Sequence, residues 1–144
     1  MNTHDFLLRA VQAAKDAGHI WPEYAACEAA LESGWGNSQL ARECNNLFGQ
    51  KSGHTSGQYP QKSIPTHEWS DGHLVPARAS WPVFPDWKTS FMERMGLLNS
   101  LSVYQDAISA TTGKDFVVKV SAHWATDPDR AAKVLNIYSH HFGD

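Results

Sequence analysis

Cysteine is scarce in this sequence: only Cys27 and Cys44 occur among its 144 residues. Two cysteines are too few to hold a small fold together as a disulfide scaffold. Cys27 lies in the Ala-rich apolar run of residues 24–31, and this setting favours a small buried core residue. A Cys27–Cys44 disulfide is the alternative, because the two residues flank the same central segment.

The chain also lacks any excess of positive charge. Twelve Lys and Arg residues stand against fifteen Asp and Glu residues, the formal net charge is −3, and no basic run occurs. A nucleic-acid-binding protein usually carries a basic patch, so this class is disfavoured. Six Trp, four Tyr and six Phe are instead typical of a folded protein that contacts a ligand with flat, partly apolar faces.

Long apolar runs are absent as well, and none approaches the length needed to span a bilayer. The N-terminal apolar stretch is short, Arg9 and Gln12 interrupt it, and no small-residue cleavage site follows, so it does not resemble a secretory signal. We therefore expect a protein made in the cytoplasm, without membrane insertion. If it acts in the periplasm or cell wall, either another system must deliver it or its export signal has been trimmed away.

Helical periodicity dominates both ends of the chain and is interrupted in the middle. In the N-terminal part, helices are predicted near residues 4–17 with Thr3 as cap, from Pro22 to Ser33, and around Leu40–Cys44 with a cap at Asn37 or Ser38. In the C-terminal part, they are predicted from a cap at Asp86 through Leu101, around residues 103–110, from a cap at Asp115 through Trp124, and after Thr126-Asp127-Pro128. In the middle, frequent Pro and Gly exclude long helices, and Asp71-Gly72 predicts a hairpin turn. The predicted fold class is mainly α (α+β), with one domain over residues 1–144 and an inserted β-hairpin lobe at about 58–85.

Glu32 is the first candidate for acid chemistry. It precedes the segment Ser-Gly-Trp-Gly at 33–36, where Gly34 is expected to close the helix in the left-handed conformation. The negative end of the helix dipole, partial burial beside Trp35 and repulsion from Glu28 would all favour a protonated carboxyl group. A glutamate that is protonated near neutral pH is what general-acid cleavage of a glycosidic bond requires. From the local pattern alone, a solvated helix-end glutamate is the alternative.

Five short segments, taken together in their order along the chain, form a more specific pattern than the surroundings of Glu32 alone. They read LESGWGNSQLA at 31–41, NNLFGQK at 45–51, THEW at 66–69, WPVF at 81–84 and WATDPD at 124–129. Together they resemble the glucosaminidase family of the lysozyme superfamily, which includes flagellar rod-associated peptidoglycan hydrolases, autolysins and phage lysins. The resemblance covers most of residues 20–140 and is far more specific than any single motif. It implies a lysozyme-like domain that hydrolyses β-1,4 bonds of peptidoglycan after N-acetylglucosamine.

The same resemblance implies roles for individual residues. Glu32 matches the general acid, and Glu68 matches a second acidic residue on a mobile hairpin, which activates water or supports the transition state in different members. The 2-acetamido oxygen of the substrate is the alternative nucleophile. Without the resemblance, Glu68 would be interpreted as an exposed strand charge. The residues expected to bind the glycan are Trp35, Trp69, Trp124, Asn46, Phe48 and Asp127.

Two positions depart from the family pattern. Trp124 stands where a tyrosine is usual, and it keeps a stacking face and an N–H donor but loses a hydroxyl group. Pro82 replaces an arginine. If the tyrosine hydroxyl orients water or the acetamido group, another residue must do so here, or turnover is slower. A non-catalytic glycan-binding module therefore stays open, and a lytic transglycosylase or muramidase is the alternative within the enzyme class.

Metal and cofactor sites are not expected. His140 and His141 are adjacent on the last helix and point to different faces, and no His-Glu-x-x-His spacing occurs. The expected partner is the peptidoglycan glycan strand, bound by a monomer. Three biological settings are open: a phage lysin, an injected bacteriolytic toxin, and a domain cut from a larger protein. An injected toxin would also require a cognate inhibitor or immunity protein.

Overall fold

Helices make up most of the chain, and one antiparallel pair of strands is inserted among them. The computed structural model describes residues 1–143. In chain order the elements are α1 (Thr3–Asp16), α2 (Pro22–Ser33), α3 (Gln39–Cys44), a 3-10 turn (Ser52–His54), β1 (Gln61–Ser70), β2 (His73–Pro82), α4 (Trp87–Ser100), a second 3-10 turn (Ser102–Tyr104), α5 (Gln105–Ile108), α6 (Gly113–Trp124) and α7 (Arg130–Phe142).

Helix α2 lies at the centre of the core. It packs between α1 and α7 and also contacts α6. Its four alanines at 25, 26, 29 and 30 are fully buried, and their small side chains allow the neighbouring helices to approach closely. Because this helix is enclosed on nearly all sides, Glu28 in its interior is fully buried too.

The C-terminal end of α2 is fixed by an unusual run of backbone conformations. Gly34, Trp35 and Gly36 have φ values of 58°, 59° and 80°, so Gly34 ends the helix in the left-handed conformation as predicted. This conformation costs a residue with a side chain about 1–2 kcal/mol, and Trp35 adopts it nevertheless. The Ser33 hydroxyl group braces the turn, because it donates to the Ala29 carbonyl at 2.6 Å and accepts from the Gly36 N–H at 2.9 Å.

Two predicted helix caps are confirmed. The Ser38 hydroxyl accepts from the Ala41 N–H at 3.1 Å, and the Asp86 carboxylate accepts from the Thr89 N–H at 2.8 Å. Both satisfy backbone donors that the first turn of a helix leaves unpaired.

Two other predicted caps are wrong by a few residues. Asn2, not Thr3, caps α1 through the Asp5 N–H at 2.8 Å. Thr112, not Asp115, caps α6, and its hydroxyl accepts from the Asp115 N–H at 3.1 Å. In both helices the acidic residue occupies the first turn, where its charge complements the helix dipole without closing the cap.

The cysteines are not bridged. Cys27 and Cys44 are both free and buried, so the alternative of a disulfide is overturned. Burial raises the pKa of the Cys27 thiol to about 12. Both residues therefore contribute to packing as small apolar side chains.

The β-hairpin closes through the predicted turn. Ser70 pairs with His73, and the two residues between them, Asp71 and Gly72, have φ values of 49° and 80°. Two consecutive positive φ values are the signature of a type I′ turn, which matches the twist of antiparallel strands.

The two faces of the hairpin have different environments. Side chains alternate between the faces of a strand, so Glu68 shares a face with Thr66 and with Ile64, which is buried. Its cross-strand partner Val75 is half-buried on the same face. Trp69 points to the opposite, outer face and is 75% exposed.

The base of the hairpin is anchored to helix α4. The buried Glu93 carboxylate accepts from the Ser56 N–H and hydroxyl, the Gly57 N–H and the Tyr59 hydroxyl at 2.7–3.1 Å. Burial opposes ionisation of Glu93, but these four donors hold its pKa below the usual value. The segment that enters β1 is therefore fixed.

Among residues 1–143, no helix is both long and apolar enough to cross a membrane.

Candidate active site

A cavity of about 470 Å³ opens at the C-terminal end of α2. Its walls come from the loop after α3, from α4, from the second 3-10 turn and from the end of α6. The residues that line it are Glu32, Phe48, Gly49, Gln50, His54, Leu97, Leu101, Tyr104, His123, Trp124 and Ala125. Within the described residues, Glu32 is the only carboxylate in this set.

Glu32 does not have the environment that its sequence context predicted. The Arg130 Nε donates to Glu32 Oε1 at 2.9 Å, and the glutamate side chain is 23% exposed. Trp35 does not line the cavity, because its ring packs against Phe6 and His141. An arginine thus takes the place of the expected apolar wall beside Glu32.

Glu28 is part of a buried ion cluster, and this corrects the expected repulsion between Glu28 and Glu32. Its carboxylate accepts from Arg94 Nη1 and Nη2 at 2.9 and 2.7 Å and from Arg130 Nη2 at 2.9 Å. All three side chains are 0–1% exposed. Burial opposes the charge, but Arg94 and Arg130 hold the pKa of Glu28 below its usual value. Glu28 is therefore neutralised and does not repel Glu32.

Arg94 supports the aromatic wall of the cavity. Its guanidinium carbon lies 4.5 Å from the Phe48 ring centroid and 4.4 Å from that of Trp124. The two rings meet edge to face at 6.1 Å, and Tyr104 packs against Trp124 at 6.0 Å. Cation–π contacts of this kind are strongest where water is excluded. Trp124 is therefore held in place in the wall of the cavity.

The loop at residues 46–50 is held by its own side chains. Asn46 Nδ2 donates to the Gln50 carbonyl at 2.8 Å, and Asn46 Oδ1 accepts from the Gln50 N–H at 3.0 Å. Gln50 Nε2 donates to the carbonyls of His54 and Glu93. In the described part of the chain, Gln50 Oε1 is buried without a hydrogen-bond partner.

The structure brings only some of the predicted site residues together. Glu32, Phe48 and Trp124 line the cavity. Asn46 is instead buried, and both the nitrogen and the oxygen of its side-chain amide are hydrogen-bonded within its own loop. Asp127 is exposed and pairs with Lys133 at 2.7 Å. We therefore assign Asn46 and Asp127 to the support of loops.

Three further predicted residues lie outside the cavity. Trp35 packs against α1 and α7, and Trp69 lies on the outer face of the hairpin. Glu68 is exposed on the inner face, and its side chain makes no hydrogen bond or ion pair among residues 1–143. In this conformation the hairpin does not bring Glu68 to Glu32.

Sequence reasoning missed Arg94 and Arg130. Both belong to helices whose charged residues are expected to face solvent. One signal was present: the last two turns of α2 are apolar except for Glu28, Glu32 and Ser33, and a charge in a buried helix requires a partner of opposite sign. The sequence does not indicate which of the twelve basic residues supplies it.

His19 extends the buried cluster on the side away from the cavity. Its Nδ1 lies 2.6 Å from the Ile20 carbonyl, which identifies Nδ1 as the donor, and its Nε2 faces Arg94 Nη1 at 3.4 Å. Burial and the charge of Arg94 lower its pKa to about 4. The neutral ring is thus the form that the folded state favours.

We expect this histidine to make stability pH-dependent. Because its pKa is lower in the folded state than the ordinary 6.5, its contribution is complete above about pH 6.5 and is lost as the pH falls towards 4. The loss amounts to about 3 kcal/mol at most. Urea unfolding across this pH range should show a shallower slope in His19→Asn than in the wild type. The exposed residue His4 provides the control His4→Asn, and equal slopes in all three proteins would contradict the prediction.

Comparison with known proteins connects this geometry to a family. The model of the glucosaminidase family (mannosyl-glycoprotein endo-beta-N-acetylglucosaminidase) matches residues 8–142. A probable N-acetylmuramidase of Lactococcus lactis subsp. cremoris is 32% identical over an alignment of 143 residues, and the alignment covers 86% of this chain and 30% of that protein. The peptidoglycan hydrolase FlgJ of Escherichia coli (strain K12) is 34% identical over 116 residues, or 76% of this chain and 36% of FlgJ. The chain thus spans about a third of the length of these relatives.

A solved structure supports the same conclusion. The catalytic domain of the autolysin Auto from Listeria monocytogenes superposes with a TM-score of 0.85 at 28% identity, over 96% of this chain and 84% of that one. The predicted lysozyme-like, mainly helical fold with an inserted hairpin is confirmed. A family match that covers nearly the whole chain, together with this agreement in fold, shows that the chain belongs to the glucosaminidase family.

Proposed function

We propose that this chain is a peptidoglycan hydrolase that cleaves β-1,4 glycosidic bonds after N-acetylglucosamine, with Glu32 as the general acid. The observation that carries the proposal is a single carboxyl side chain in an aromatic-walled cavity, at the position that the family motif marks. Phe48, Tyr104 and Trp124 offer flat apolar surfaces of the kind on which the C–H faces of a pyranose pack.

The proposed reaction requires a proton at the leaving oxygen. Glu32 in its acid form donates it, the bond from C1 to the glycosidic oxygen breaks, and positive charge develops on the sugar ring. A water molecule, or first the 2-acetamido oxygen of the substrate, then forms the new bond to C1. The Glu32 carboxylate that remains stabilises the positive charge electrostatically.

Glu68 is proposed as the second acidic group. Its support is its place on the inner face of the hairpin, the face that also carries the buried Ile64. In the structure Glu68 lies outside the cavity, so this role requires the hairpin to bend towards Glu32 once the glycan is bound. An unpaired carboxylate is free to make that approach.

We expect Glu68→Gln to lower turnover about 10²-fold because the variant cannot accept a proton from water. Since Glu68 is exposed and unpaired within the described chain, the free energy of unfolding should change by less than about 0.5 kcal/mol. The neighbouring residue on the opposite face offers a matched control, and His67→Gln should retain full turnover. Release of soluble muropeptides from purified sacculi measures both. Equal rates in the two variants would remove Glu68 from the reaction.

The bond that is cleaved can be identified from the products. The wild-type protein is incubated with purified sacculi, and the soluble fragments are analysed by mass spectrometry before and after borohydride reduction. Reducing ends on N-acetylglucosamine support the proposal. Reducing muramic acid ends would identify a muramidase, the activity for which the Lactococcus relative is named. Anhydro-muramic ends would identify a lytic transglycosylase. Binding to sacculi without release of fragments would identify a non-catalytic module.

The biological setting is a further part of the proposal. We infer that residues 1–144 act as one monomeric catalytic domain, with the hairpin lobe at about 58–85 as part of it. It serves as a bacteriolytic toxin or a phage lysin that another system delivers to the wall. In the first case an inhibitor or immunity protein of the producing cell would fill the cavity at Glu32. Lysis of a sensitive strain by periplasmic expression, relieved by a single neighbouring gene of the producer, tests the toxin role.

A further inference from the structure

Arg130 connects Glu32 to the interior of the protein. It is the first residue of α7, and its side chain is 1% exposed. Besides its bond to Glu32, Nη2 donates to Glu28 at 2.9 Å, and Nη1 donates to the Ser121 hydroxyl at 2.8 Å. All three guanidinium nitrogens have partners on α2 or α6, so the plane of the group is fixed.

The charges of this cluster do not balance without Glu32. Arg94 and Arg130 supply two positive charges, and Glu28 supplies one negative charge, all three being buried. An uncompensated charge at a buried position costs several kcal/mol. The Glu32 carboxylate, at the boundary between cluster and cavity, completes neutrality.

We propose that Arg130 is a positioning residue that sets the orientation of the Glu32 carboxyl group and supplies its counter-charge from the protein interior. The proton comes from solvent through the cavity, because Glu32 is the partly exposed member of the cluster. This inference rests on the proposed function only for its link to catalysis.

Other titratable groups surround Glu32 and must be separated from this effect. His54, His123 and Tyr104 line the same cavity from the two 3-10 turns and α6, and Glu28 and Arg94 lie behind Arg130. Activity alone mixes the titrations of all these groups. A residue-resolved measurement of the Glu32 carboxyl carbon by ¹³C NMR isolates the titration of Glu32 from those of the other groups.

The test compares Arg130→Gln with Lys119→Gln. Both remove one positive charge, but Lys119 is an exposed residue of α6 that pairs with Asp115. Arg130→Gln leaves Glu28 paired with Arg94, a neutral pair, and removes the cation beside Glu32. We expect the Glu32 carboxyl resonance to titrate at higher pH in Arg130→Gln and at the wild-type pH in Lys119→Gln.

Turnover should follow the same pattern. Since a neighbouring opposite charge moves a titration by about one unit or more, the ratio of kcat/KM of Arg130→Gln to that of the wild type should rise about tenfold from a pH below both Glu32 titrations to a pH above both. Arg130→Lys keeps the charge but offers one nitrogen in place of three. It should retain the wild-type titration of Glu32 while its kcat falls, and it provides the test if Arg130→Gln does not fold.

Identical Glu32 titrations in the wild type and Arg130→Gln would overturn the inference, as would a titration of Arg130→Lys displaced from that of the wild type. The NMR measurement does not depend on activity. A displaced titration in a protein without turnover on sacculi at any pH would therefore support the inference while refuting the proposed function.

Discussion

Replacement of Glu32 by glutamine is expected to lower the release of muropeptides from sacculi by about 10²–10⁴-fold. Glutamine has nearly the same shape, and its amide oxygen can still accept from Arg130 Nε, but it cannot donate a proton to the glycosidic oxygen. The KM should change little, because the aromatic wall that contacts the glycan is intact. The loss should therefore appear almost entirely in kcat.

A control on the same helix separates chemistry from folding. Glu23 is an exposed residue of α2 that pairs with Lys15 on the surface, so Glu23→Gln makes the same chemical change away from the cavity. It should retain full turnover, and both variants should give the circular dichroism spectrum of the wild type. Turnover of Glu32→Gln within tenfold of the wild type would refute Glu32 as the general acid and return this residue to the role of a counter-charge for Arg130.

The second large effect concerns stability. Substitution of Glu28 by glutamine should lower the free energy of unfolding by about 3–5 kcal/mol, because it leaves Arg94 and Arg130 buried with their shared anion removed. Urea unfolding measures the change. Arg94→Met should cost less than Glu28→Gln, since it leaves the ion pair of Glu28 with Arg130 intact.

The same ion cluster also predicts a response to acid. The folded-state pKa of Glu28 is lowered, so its stabilising contribution is present above its ordinary value of about 4.3 and is lost as the pH falls through the lower folded-state value. Stability of Glu28→Gln should accordingly respond less to acid in that range than the wild type. A cost below about 1 kcal/mol would show that the two arginines find other partners.

Local signals account for most of what the sequence predicted correctly. The left-handed Gly34, the caps at Ser38 and Asp86 and the Asp71-Gly72 turn all depend on a few neighbouring residues, and each is confirmed. The cap at Thr112 was missed although the chain carries a signal for it, since Thr112 and Asp115 have the Ser/Thr-x-x-Asp/Glu spacing of a capping box.

The environment of the active site was not predictable in the same way. The spacing of Glu28 and Glu32, one turn apart on α2, predicts repulsion between them, and this prediction is wrong. Their charges are determined by Arg94 and Arg130, which are distant in sequence and indistinguishable there from solvated surface arginines. Tertiary packing selects these partners, and no periodicity within a single helix reports it.

The residues that line the cavity were predicted only in part. Phe48 and Trp124 were identified as glycan contacts and do line the cavity, whereas Asn46 is occupied within its loop. A motif reports which residues a family retains, but it does not separate the residues that touch a ligand from those that shape the loop. The hydrogen bonds between Asn46 and Gln50 make that distinction.

The pairing of Arg130 with α2 has a consequence for how the protein is made. Glu32 and Glu28 lie 98 and 102 residues before Arg130 in the chain, so the arginine leaves the ribosome long after α2 has been synthesised. Contacts between residues so far apart in sequence form late in folding, because a long loop must close before the contact stabilises the structure. Until α7 docks, the Glu32 carboxyl group has no partner to orient it. The nascent polypeptide therefore lacks this contact until α7 has been synthesised, and the Glu32 side chain assumes its observed geometry late in folding.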